Sequence, residues 1–223
     1  MAAHLQREID KLKKQVLSLC SLVEGQVEKA LRAVLDQDVV LAEEVEKADI
    51  EIDQREIEVE EECLKTLALH QPVAVDLRLI IATMKINNDL ERIGDMAVNI
   101  ARKTRGLVEE PPPAVSCDLA TMWAKTQAML RDGIDALVNM DAEMAWSVCA
   151  RDDEVDAMKS SIRQEVEATI RKQPERVTSL LRLMAVSRNL ERIADAATNI
   201  AEDVIYLVEG RITRHSVKGP VEE

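Results

Sequence analysis

Phenylalanine is absent from the 223 residues, and tyrosine and tryptophan supply only one and two. Sheets are covered by aromatic and β-branched side chains, so this poverty argues against an all-β fold. The core must instead be packed by aliphatic side chains and nine Met. Glycine and proline number six each, which leaves room for long uninterrupted elements. The four cysteines, Cys20, Cys63, Cys117 and Cys149, form no CxxC pair, which argues against a zinc ribbon. They read as reduced thiols in a cytoplasmic protein. The three histidines, His4, His70 and His215, stand far apart and read as ordinary surface residues. Basic charge is scarce: 29 Lys and Arg face 42 Asp and Glu, a net charge of −13. Such a chain lacks the positive surface that nucleic acid demands. It suits cations, or basic patches on partner proteins. No apolar run approaches the roughly 20 residues needed to span a bilayer. Charges from Arg7 to Lys14 interrupt the start, which is expected not to be a secretory leader. Contact with a membrane is therefore expected only through partners.

What is present is helix-forming and repeated. Hydrophobic residues make up 47 % and charged residues 32 %, too apolar for a disordered chain. Pro111, Pro112 and Pro113 cannot continue a helix, because they lack amide donors and clash with the preceding turn. They divide the chain nearly in half. The segment Leu90-Glu91-Arg92-Ile93-Gly94-Asp95-Met96-Ala97-Val98-Asn99-Ile100-Ala101 returns 100 residues later as Leu190-Glu191-Arg192-Ile193-Ala194-Asp195-Ala196-Ala197-Thr198-Asn199-Ile200-Ala201, identical at nine of twelve positions. Gln71-Pro72 returns as Gln173-Pro174, and Asp49 to Asp53 loosely as Asp152 to Asp156.

Breakers mark three helices per half. They are expected over 6–35, 39–69 and 72–108, then 118–139, 142–172 and 174–209, with Pro72 and Pro174 in first turns and Gly210 as a stop. Short loops between helices about 45 Å long force antiparallel neighbours. The expected fold is all-α, two tandem three-helix bundles related by a pseudo-twofold. The first unit covers 1–110, a Pro-rich linker 111–116, the second unit 117–210, and a flexible tail 211–223. Met122, Met129, Met140, Trp123 and Trp146 are expected to be packing residues.

The chemistry lies in acids at helical spacing. Glu91, Asp95 and Asn99 fall on a stripe nearly opposite the apolar arc of the third helix, and Glu191, Asp195 and Asn199 repeat it. Residues four apart stand one above another, so each ExxxD pair can address one ion. A solvated face is the plain alternative. However, packing gives no reason for surface acids to keep register across two halves. On the second helix, Asp49, Asp53, Glu56 and Glu60 form a stripe between two apolar rows, Ile50, Ile57 and Leu64 on one side and Ile52, Val59 and Cys63 on the other. Acids thus run through the face expected to meet other helices. They need arginines, with Arg78, Arg92 and Arg192 the candidates, or a cation. Asp152 and Asp156 are the second-half counterparts, on a less clear stripe. The candidate ligands are Asp49, Asp53, Glu91, Asp95, Asn99, Asp152, Asp156, Glu191, Asp195 and Asn199. An all-oxygen donor set favours Mg, Ca, Mn or iron over zinc. The Glu-x-x-His motif of di-iron bundles is missing, as are a phosphate-cradling Gly loop, HExxH and GxSxG. The chain is expected not to be an enzyme.

Gln71-Pro72-Val73-Ala74-Val75-Asp76-Leu77-Arg78, Asn88-Asp89-Leu90-Glu91-Arg92-Ile93-Gly94-Asp95 and the stretch from Asn189 to Val204 together resemble the PhoU family, over about residues 5–210. The resemblance implies a six-helix protein of two three-helix bundles. It implies a negative regulator of phosphate uptake and phosphate-starvation signalling, an adaptor between the phosphate ABC transporter, through its ATPase subunit, and a sensor histidine kinase. It also implies a homodimer. Some members carry metal clusters on (E/D)xxxD motifs and others show no metal; here the motifs are Asp49/Asp53, Glu91/Asp95, Asp152/Asp156 and Glu191/Asp195. The second half departs at Ala194, where the first has Gly94, and at 175–180, which lacks Asp-Leu-Arg, so the two sites are expected to be inequivalent. The alternative is a carboxylate-based metal-dependent phosphohydrolase or a metal store.

Overall fold

The structure, a computed structural model, describes residues 2–110 and 118–211. The expected linker 111–116, Cys117, His215 and residues 212–223 of the expected tail lie outside them. The described residues form α1 (Ala2–Leu35), α2 (Val39–His70), α3 (Ala74–Val108), α4 (Leu119–Asn139), α5 (Ala142–Cys149), α6 (Asp152–Lys172), a 3-10 turn (Pro174–Arg176) and α7 (Val177–Glu209), with no strand among them. The all-α expectation holds. Helices α1 to α3 form one bundle; α4, the interrupted rod α5–α6 and α7 form the other.

The repeat is clearest in caps and core. Gln37 and Met140 both take left-handed backbone, and Asp38 and Asp141 follow as N-caps. The Asp38 and Asp141 side chains each accept from a backbone amide, of Leu41 and Met144 respectively, at 3.0 Å. These pairs lie 103 residues apart, and the same shift superposes buried Ile52, Val59 and Cys63 on buried Val155, Ile162 and Val166. It also superposes Leu19, Val27 and Leu31 of α1 on Leu119's helix at Met122, Leu130 and Ile134, all buried.

The two bundles meet chiefly along α3 and α7, with a lesser contact between α1 and α4. Lys85 Nζ lies 3.0 Å from Asp203 Oδ1, Asn199 Nδ2 donates to Asp89 Oδ1 at 3.4 Å, and Arg182 Nη1 donates to Gly106 O at 2.6 Å. Numbers rise on one helix as they fall on the other, so the pair is antiparallel. Both helices are therefore apolar over a wide arc. Ile86, Leu90, Ile93 and Ile100 on α3, and Leu190, Ile193, Ile200 and Val204 on α7, are fully buried. The Lys85 ammonium also stands 5.2 Å from the centre of the Tyr206 ring.

Three expectations change. α3 starts at Ala74 rather than at Pro72, because Gln71 is left-handed and Val73 extended, so Pro72 sits in the connection. The expected single helix over 142–172 is broken at Ala150 and Arg151. Asp152, Asp153 and Glu154 fill the first turn after the break, where the positive end of a helix favours acids. The Arg151 guanidinium holds the corner, donating to Asp132 Oδ2 at 2.6 Å and to Ser147 O at 3.2 Å. Met140 is a partly exposed cap residue rather than core, whereas Met122 and Met129 are fully buried. Trp123 and Trp146 pack on the core as expected, with Trp146 Nε1 also donating to Glu209 at 3.1 Å.

Candidate functional site

In the first half, α2 brings Asp49 and Asp53, and α3 brings Glu91 and Asp95, to one open seam. Gly94 makes the approach close. A Cβ there would meet Ile52 Cγ2 at 3.3 Å and Asp49 Oδ1 at 3.4 Å. The second half has Ala194 at this position, and Val155 at the position of Ile52. The methyl group gained on one helix is the one missing from the other, a volume-conserving exchange.

Asp49 and Glu91 are half-buried, whereas Asp53, Asp95 and Asn99 are exposed. Burial pushes the Asp49 carboxyl above its usual range, and the Asp53 and Asp95 carboxylates add to this; a hydrogen bond from Gln26 and the charge of Arg102 oppose it. Glu91 is raised by burial and then by Asp95, Asp53, Glu56 and Asp49. Glu56 is raised by burial, Glu60 and Asp53. These carboxylates feel one another across the seam. Gln26, itself buried, donates from Nε2 to Asp49 Oδ1 at 3.0 Å and to Val45 O at 3.3 Å, while its own Oε1 is buried without a partner. Of the arginines weighed as counter-ions, Arg192 lines a groove with Glu191 and Asp195 of the second half, and Arg92 and Arg78 are engaged elsewhere. Arg92 pairs with Asp89 at 3.1 Å on its own helix. Arg78 packs its guanidinium against Gly210 at the end of α7. Arg102 reaches Glu46 at 3.4 Å.

The second seam places Asp152, Asp156, Glu191 and Asp195 in the same arrangement, Asp152 and Glu191 half-buried and Asp156, Asp195 and Asn199 exposed. Asp195 is pushed up to about 6 by partial burial and by Glu191, Asp152 and Asp156, with Lys159 opposing. Asp152 is raised by burial, Asp156, Asp153 and Glu191, against a 3.2 Å hydrogen bond from Thr198 Oγ1. The prop beneath the first acid has changed sides: Gln26 corresponds to buried Met129, and Thr198 to buried Val98. The decisive difference is Lys159, whose Nζ lies 2.5 Å from Glu191 Oε1 and 3.3 Å from Asp156 Oδ1. Asn199 turns to the other bundle, donating to Asp89.

The first seam fits a hard cation: four carboxylates, a glutamine holding one of them, and no ion pair to any of the four among the described residues. The second, with a lysine between its acids, does not fit in the same way. Among the described residues, no three His, Cys, Asp or Glu side chains already converge as a ready-made metal site. Sequence reasoning missed Gln26, Thr198 and Lys159. A shift of 103 in place of 100 over the first two helices of each half would have set Lys159 opposite Glu56.

No described helix is long and apolar enough to cross a membrane. The PhoU domain matches residues 16–104 and again 119–204. The phosphate-specific transport system accessory protein PhoU homolog of Pseudomonas aeruginosa is 39 % identical over 209 residues, covering 93 % of this chain and 86 % of its own length. The homolog of Aquifex aeolicus is 38 % identical and covers 94 % and 95 %. The crystal structure of PhoU from Pseudomonas aeruginosa superposes with a TM-score of 0.90 at 38 % identity, covering 92 % of this chain and 99 % of that one. The phosphate transport system regulatory protein PhoU from Streptococcus pneumoniae superposes with a TM-score of 0.85 at 29 % identity, covering 93 % and 98 %. With both halves matched by the domain and the whole described architecture shared, this chain is a member of the PhoU family.

Proposed function

We propose that this protein is a cytoplasmic negative regulator of phosphate uptake and phosphate-starvation signalling. It acts by contact, as an adaptor between the ATPase subunit of a phosphate ABC transporter and a phosphate-sensing histidine kinase. The names of its relatives support the transport role. The observation that favours contact is on α2. Ile50, Ile57 and Leu64, at heptad spacing, are 72 %, 46 % and 51 % exposed. The apolar row expected to pack inward thus faces out; of the two rows, the one buried is Ile52, Val59 and Cys63. The fold does not need this row, because Asp153, Ser160 and Glu167 occupy its places in the second half. A contiguous apolar stripe is a recognition surface. Glu46, Asp53, Glu60 and Glu61 lie beside it, so it suits an amphipathic partner with basic flanks and disfavours self-pairing through this face. A homodimer would use another face.

A hard divalent or iron-type ion at the first seam belongs to the same reading. Asp49, Asp53, Glu91 and Asp95 would hold it, with Asn99 one turn further, and it would supply charge neutralisation that stiffens the α2–α3 pairing. The corresponding proposal for Asp152, Asp156, Glu191, Asp195 and Asn199 requires displacement of Lys159.

The test is genetic and biochemical together. Deleting the gene should leave the starvation response switched on in phosphate-rich medium, and tagged protein should capture the transporter ATPase and the kinase from membranes. Ile57→Glu should lose the capture while melting as the parent does. A normal response after deletion, with neither partner captured, would refute the regulatory reading; turnover of phosphate esters by metal-loaded protein would replace it with the hydrolase.

A further inference from the structure

The two seams differ in charge. Aligned at the shift that superposes their cores, Glu56 becomes Lys159 and Glu60 becomes Arg163; on the third helices, Asn88 becomes Arg188, and Arg92 is kept as Arg192. Lys159, Arg163, Arg188 and Arg192 line one groove of about 420 Å³ between α6 and α7, with Glu191 and Asp195 beside them. The lining holds four cations and two carboxylates, with Asp156 and Glu167 reaching Lys159 and Arg163 from their own helix, in a chain whose net charge is −13. We propose that this groove binds a multiply charged phosphoryl oxyanion, inorganic phosphate or a condensed phosphate chain.

The geometry divides the cations by role. Lys159 is held by Asp156 and Glu191 and neutralises the acids that would otherwise repel an anion. Arg188 and Arg192 are exposed on α7, four residues apart and so on one face of the helix. Among the described residues, Arg163 shares its guanidinium only with Glu167, one turn along its own helix at 2.8 Å. An exposed pair of that kind contributes little, so the arginine can exchange it for a ligand at small cost. The planar guanidinium fork matches the edges of a phosphate, and three forks outmatch Glu191 and Asp195 only for a ligand of high charge. Met184 and Ser187 are the uncharged lining residues. Among the described residues that line the groove none is aromatic and able to stack a base, so the chemistry favours phosphate or a phosphate chain over a nucleotide. The first seam carries Glu56, Glu60 and Asn88 at these places and would exclude the same ligand.

Calorimetric titration of the chelator-treated full chain with inorganic phosphate, pyrophosphate and tripolyphosphate tests this, at constant ionic strength and with sulfate for comparison. One saturable site is expected, tightest for tripolyphosphate if a chain is the ligand and equal for all three if a single phosphate is. Arg163→Ser combined with Arg188→Ser should weaken binding at least tenfold, and Arg55→Ser on α2 should leave it unchanged. Both arginines of the double variant are exposed, and an unaltered melting curve would show that it folds. Absence of saturable binding at millimolar ligand, an equal response to sulfate, or identical binding by the folded double variant would overturn the proposal.

Discussion

Lys159 stands where the first half carries Glu56, and its ammonium bridges Asp156 and Glu191 across the second seam. This exchange gives two nearly identical frameworks different electrostatic characters. An acidic seam can be quieted by a lysine of its own, as the second seam is by Lys159; the first has no such lysine among the described residues.

Lys159→Met should destabilise the second bundle. It leaves Glu191, a largely buried carboxylate, without its counter-charge. The full penalty for an orphaned buried charge is discounted here because the lysine is one-third exposed. A loss of about 1–2 kcal/mol is expected on those principles. Urea unfolding should show it as a lower midpoint at unchanged slope.

Metal should act on the first seam. Manganese or magnesium added to chelator-treated protein should raise the melting temperature, with about 2.7 kcal/mol of stabilisation at a hundred times the dissociation constant. Glu91→Gln with Asp95→Asn should abolish that rise and lower the bound metal measured by elemental analysis. Equal melting of apo and metal-soaked parent would remove the cation from the first seam.

Stability of the metal-free protein should fall as pH rises from about 4 to about 6. Asp49, Glu56, Glu91, Asp152 and Asp195 all have folded-state pKa values raised above the usual range, Asp195 to about 6. In that window the folded state holds more protons than the unfolded chain, so stability decreases with pH. The stabilisation is complete below the unfolded values and gone above the folded ones. Glu62 works the other way: its hydrogen bond from Lys11 holds its carboxyl below the usual range, so it weakens the fold only in stronger acid. Urea midpoints across pH 4 to 7 should show the fall, and Asp195→Asn should flatten it.

Arg182 closes the end of α3 from the opposite bundle. It donates to Gly106 O at 2.6 Å and to Glu110 Oε1 at 2.7 Å, and a Cβ at Gly106 would fall 2.4 Å from its Cζ. Helix ends leave carbonyls unpaired, and charged donors to them are worth about 1.5–3 kcal/mol. Arg182→Ala should cost roughly that in chemical denaturation. Gly106→Ala should force the guanidinium aside and cost a comparable amount.

The sequence by itself determined what local rules and duplication can carry. Aliphatic periodicity set the helices, Asp38 and Asp141 their caps, and the repeat of Glu91, Asp95 and Asn99 as Glu191, Asp195 and Asn199 the family and the acidic stripes. These are properties of neighbours along the chain, and they survive in one dimension. Only the tertiary structure decided which side of each helix meets which. Ile50, Ile57 and Leu64 have the same apolarity as Ile52, Val59 and Cys63, and no periodicity says which row is buried when a helix has a single packing side. Gln26 lies 23 residues from Asp49, and Lys159 lies 32 from Glu191; both reach their acids through space. The break at Arg151 likewise depends on Asp132 of α4, a partner its own helix cannot supply. Charge balance at a seam between helices is a sum over side chains from separate elements, so it exists only once packing has brought those elements together.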